Sequence, residues 1–144
     1  MKAIRALLAA LALSATLGVV SGAEGKRFGP GDLRVCNDAR CVPIMRADVV
    51  ERLGPFYYLG RPPPRALPPA LGTPYYELRF DNDYVTGIVG TRRLDRFLSY
   101  GVYLERFKRG VWYRVPPLVA RELVRLTTGM RPLRLTRNAL VKSR

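Results

Sequence analysis

The chain has 144 residues, with 25 Lys or Arg against 11 Asp or Glu, a formal net charge of +14, two Cys and no His. That length leaves room for one domain, and the missing imidazole removes the commonest general base and a principal zinc ligand. A balance this basic directs attention to negatively charged partners.

Lys2 and Arg5 precede an unbroken small and apolar run from Ala6 to Val20, and Ser21-Gly22-Ala23 follows with small residues. That is the three-part pattern of a secretory signal peptide of bacterial style, with cleavage expected after Ala23. The run falls short of the roughly 20 residues that span a bilayer, so residues 1–23 are expected to be a leader and 24–144 one exported domain. A secreted, periplasmic or envelope location follows, without a transmembrane segment after cleavage. Glu24 to Gly31 is expected to be a loose leader.

Cys36 and Cys41 bracket Asn37-Asp38-Ala39-Arg40, and the flanks Leu33-Arg34-Val35 and Val42-Pro43-Ile44 alternate as strands do. The expectation is a β-hairpin closed by a disulfide. The spacing is not that of a Cys-x-x-Cys redox pair, and too few further ligands exist for a closed zinc site.

Asp48 stands before Val49, Val50 and Leu53, with Gly54-Pro55 behind, which predicts a short helix capped by Asp48. Phe56 to Leu59 is a candidate strand. From Arg61 to Pro74, six of fourteen residues are proline. Fixed φ and missing donors make this stretch a stiff connector over the surface and bar it from the sheet interior; a ligand for an aromatic groove is the competing reading.

Tyr75 to Gly90 predicts the strongest hairpin, turning at Asn82-Asp83. A two-residue loop pairs Phe80 with Val85, Leu78 with Gly87 and Tyr76 with Val89, placing the apolar set on one face. Asp81-Asn82-Asp83 lacks the Gly and Glu that a calcium loop needs further on.

Leu94 to Tyr103 and Leu104 to Tyr113 form two ten-residue units that repeat Leu, an acid, Arg, Phe and Tyr in order. Each is expected to be a helical turn, stopped by Gly, that feeds an extended aromatic segment. Pro116-Pro117 opens the best helix, Leu118 to Thr128, with Val119, Ala120, Leu123, Val124, Leu126 and Thr127 on the apolar side and Arg121, Glu122 and Arg125 on the other. Gly129 and Pro132 end it. Leu133-Arg134-Leu135 is a short last strand, and Thr136 to Arg144 a frayed basic tail. The fold class is α+β: a small antiparallel sheet built from hairpins and covered by one main amphipathic helix near the C-terminus.

Between Thr91 and Val115, seven basic residues stand against Asp95 and Glu105, interleaved with Tyr100, Tyr103, Trp112 and Tyr113. Guanidinium groups grip phosphate, sulfate or carboxylate, and aromatic faces stack on sugars or bases. Arg92, Arg93, Arg106, Lys108, Arg109 and Arg114 are the candidate charge contacts, with Tyr103 and Trp112 as stacking faces. The partner implied is an acidic polymer or an acidic protein surface; no cofactor and no metal are implied. The function expected is that of a secreted non-enzymatic binding or structural domain: because 21 of the 25 basic residues are Arg, a genome-wide Arg bias also accounts for the charge, and a structural or interaction domain with an incidentally basic surface stands beside polyanion binding. Two alternatives compete. A secreted hydrolase would use Glu77 with Asp95 or Glu105 as paired carboxylates, although adjacent Arg residues favour ion pairing for both partners. An inhibitor-like domain would dock through the Cys36–Cys41 hairpin.

Overall fold

The computed structural model describes residues 29–53, 63–80, 84–100 and 109–142. Residues 1–28, the candidate strand at 56–59, the turn at 81–83 and residues 101–108 lie outside them. The described elements are β1 (Leu33–Cys36), β2 (Cys41–Pro43), α1 (Ala47–Leu53), β3 (Pro74–Phe80), β4 (Tyr84–Gly90), β5 (Arg96–Ser99), β6 (Trp112–Arg114), α2 (Pro117–Leu126), β7 (Leu133–Arg134) and α3 (Arg137–Val141).

The strands form one antiparallel sheet in the order β2-β1-β3-β4-β5-β6. β7 shares an edge of β3 with β1, pairing Pro74 and Tyr75 while β1 pairs Glu77 to Phe80. This is the α+β architecture expected, hairpin by hairpin.

Alternation along the strands sends side chains to two faces, and both are buried. On one face Val35, Leu78, Val89, Phe97 and Tyr113 pack beneath α1 and α2, with Val49, Val50, Val119 and Leu123 from the helices. Gly87 belongs to this face: a Cβ there would run into the Phe97 ring and the Leu98 carbonyl oxygen, so only glycine lets the ring lie down. On the other face Tyr75, Ile88, Leu98, Tyr100 and Trp112 pack with Leu135 and Ala139. Composition gave no sign of this second core, because its cover is the tail expected to fray. Thr136 instead caps α3, its side chain accepting from the Ala139 N–H, and the Tyr100 hydroxyl donates to the Ala139 carbonyl at 2.9 Å.

The Cys36–Cys41 disulfide closes the first hairpin. The flanking backbone bonds, Asn37 N–H to Arg40 O and Ile44 N–H to Leu33 O, make the cysteines a non-hydrogen-bonded pair, the closer kind; their Cα atoms are 4.1 Å apart. Asn37 organises the tip, accepting from the Ala39 and Arg40 N–H groups while donating to the Arg131 carbonyl.

Four expectations need correction. The β3–β4 hairpin keeps Tyr76 opposite Val89 and Leu78 opposite Gly87, but a bulge follows and Phe80 meets Tyr84 rather than Val85. Thr86 is the extra residue, held by its hydroxyl donating to the Leu78 carbonyl. α1 begins at Ala47, so Asp48 lies in its first turn, bonded to Arg46, and does not cap it. The unit that begins at Leu94 does not open with a helical turn: Arg96 and Phe97 pair with Gly90 and Val89, so ladder bonds to β4 outweigh local preference; the corresponding turn of the second unit lies outside the described residues. On α2, Glu122 is buried and Val124 exposed, the reverse of their expected sides. Arg125 and Arg46 reach Glu122 at 2.6 and 3.8 Å, compensating its charge where α1 meets α2.

Candidate polyanion-binding surface

The proline-rich connector lies against the open edge of β6. Pro64 O accepts from the Arg114 N–H, and the Ala66 N–H donates to Trp112 O, so the stretch caps an edge using the few groups that proline leaves it. Because the Arg114 N–H turns outward, Arg114 and its partner Arg96 on β5 form a non-hydrogen-bonded pair, in which opposite side chains come closest. Two guanidinium side chains thus rise side by side from one face. Arg96 donates to the Leu67 carbonyl at 2.8 Å. Arg65, two residues earlier, bridges to Tyr113.

The β4–β5 turn adds Arg92 and Arg93. Thr91 and Leu94 have φ of +83° and +50°, a conformation unfavourable for a β-branched residue. Bonds hold it: the Thr91 hydroxyl donates to an Asp95 carboxylate oxygen at 2.5 Å, the Arg93 N–H donates to the Thr91 hydroxyl, and the Thr91 N–H donates to Pro74 O. The strained turn projects both arginines into solvent. Between turn, connector and the start of α2 opens a cleft of about 780 Å³, walled by Pro63, Pro64, Leu67, Pro116 and Pro117 and lined by Asp95, Arg96 and Arg114. Among the described residues, Arg65, Arg92, Arg93 and Arg114 make no ion pair.

The expected contacts therefore divide. Arg92, Arg93 and Arg114 gather at one end of the β5–β6 pair. Arg109 lies at the other, donating to the Lys142 carbonyl at the end of α3. Arg106, Lys108 and Tyr103 lie outside the described residues. Trp112 is 4% exposed and packs in the second core against Gly90, so its ring offers no stacking face. Strand alternation puts Trp112 on the same side as Arg96 and Arg114, where the connector and Leu98 enclose it. Arg65 and Arg96 escaped the sequence reading because the link between the connector and β6 leaves no local signal.

The carboxylates are placed apart. Glu77, on β3, accepts from Arg79 at 2.7 Å and lies 3.9 Å from Lys142. Burial pushes the Tyr75 and Tyr100 phenols up, and the charge of Glu77 adds to this. Among the described residues Asp95 bonds Thr91 and no arginine; it stands two strands and three residues from Glu77, about 14 Å at ordinary strand spacings. Glu105 lies outside the described residues. Among the described residues no three His, Cys, Asp or Glu side chains form a group that could hold a metal ion, and no helix is long and apolar enough to cross a membrane.

Comparison with protein-family models, curated proteins and solved structures finds no match.

Proposed function

We propose that this is an exported, non-enzymatic binding domain that holds an acidic polymer or surface of the cell envelope through Arg65, Arg92, Arg93, Arg96 and Arg114. The observation that carries the reading is the Arg96–Arg114 pair. Like charges directly opposite on neighbouring strands destabilise a sheet, and an anion lying between them relieves the repulsion while accepting from both guanidiniums. The locked turn adds two cations on a backbone that does not have to order on binding. Export rests on the leader pattern and on a disulfide, which suits an oxidising compartment. Arg109, at the far end of β5 and β6, offers a second contact for a ligand long enough to run their length.

The test must separate a site from a diffuse positive field. Retention on heparin and on duplex DNA is measured against salt for the wild type, for Arg92→Ala/Arg93→Ala/Arg114→Ala, and for a control removing the exposed Arg34, Arg121 and Arg137. The site variant is expected to elute at clearly lower salt, its log affinity against log salt flattened by about 0.9 for each DNA phosphate it no longer neutralises, while the control moves little. Equal shifts in the two variants would show that only total charge matters and would end the site reading.

A further inference from the structure

Leu67 and Leu71 on the connector are 80% and 53% exposed; Leu67 lies beside Arg96, which bonds its carbonyl, and Leu71 precedes Gly72, whose carbonyl accepts from Arg134. Resting on the reading above, we propose that the acidic surface this face meets is an anionic lipid bilayer, with Leu67 and Leu71 entering the headgroup region and the arginines contacting lipid phosphates.

The connector is built to hold these leucines outward. Its inner side is pinned: Ala66 packs into the second core, Arg96 bonds the Leu67 carbonyl, and Arg134 donates to the Gly72 carbonyl at 3.3 Å. The Gly72 N–H donates to Leu135 O, and Leu135 N–H to Thr73 O. Pro68 and Pro69 stiffen the span between. A flexible loop could tuck its leucines away from water; this one is fixed with them displayed. Peripheral attachment that lasts takes two signals, an apolar insertion and a basic patch, and juxtaposed arginines gain from the negative potential of anionic lipid. A soluble polyanion uses the guanidiniums and has no use for the leucines, so leucines displayed on a connector that also carries Arg65 and meets Arg96 favour the bilayer.

Binding is measured by co-sedimentation with phosphatidylcholine vesicles with and without phosphatidylglycerol, beside heparin retention. The wild type is expected to sediment only with phosphatidylglycerol present and to keep a residue of binding at high salt. Leu67→Ser/Leu71→Ser is expected to lose about tenfold in vesicle affinity, and the salt-resistant fraction with it; Leu71→Ser alone, which lies outside the cleft lining, is expected to weaken vesicle binding while its heparin elution stays unchanged, and circular dichroism checks that both variants fold. Vesicle binding that is absent, or indifferent to the two leucines, alongside intact heparin binding overturns the lipid proposal and leaves polyanion binding standing. Failure on both supports overturns both.

Discussion

Glu122 departs furthest from what helical periodicity assigns to it. Its side chain is 3% exposed, and the bidentate bond from Arg125 holds its pKa below the ordinary 4.5 although burial opposes the shift. A carboxyl lowered in the native state contributes stability that is complete above about pH 4.5 and is lost as pH falls through the lower native value. Glu122→Gln should therefore flatten the acid side of the stability curve below about pH 4.5, read from urea midpoints across the acid range. An acid limb as steep as the wild type's would show that the pair is not what titrates. The residue was misplaced because a charge is normally solvated, and Arg46, which helps to compensate it, stands just before α1, 76 positions earlier in the chain.

At the scale of elements, the hairpins were the most legible, since a hairpin joins neighbours in the chain and its turn residues state the join. Its register was legible only as far as Leu78–Gly87, where Thr86 bonds the Leu78 carbonyl and slips out of the ladder. α3 was the least legible. Five residues are too few for a helix to form unaided, and its sequence reads as a charged tail. It persists because Thr136 caps it and Ala139 lies on the second core. Ending the chain after Leu135 removes the acceptor of the buried Tyr100 hydroxyl, which alone costs about 1–3 kcal/mol. A denaturant midpoint equal to that of the full chain would show that α3 does not stabilise the sheet.

Over the whole molecule, the sheet carries a core on each face, so neither face should unfold alone. Leu123 and Leu98, both almost wholly enclosed, stand for the two cores, and each Leu→Ala change should cost about 2–5 kcal/mol. In both variants far-ultraviolet dichroism and Trp112 fluorescence should still report one shared transition; a Trp112 signal that melts ahead of the helices in Leu98→Ala would show that the faces are separate units. The same sheet sets the charge pattern, since β5 and β6 bring Arg96 against Arg114 and the connector adds Arg65. The sequence by itself determined the α+β class, the disulfide hairpin, the proline connector's exclusion from the sheet interior, and the main helix, because each rests on dihedral limits or on periodicity among neighbours in the chain. Only the tertiary structure decided which arginines share a face, that Trp112 is core, and that the tail closes a second core. Those outcomes depend on pairings between distant segments, and strand order leaves no trace in local composition.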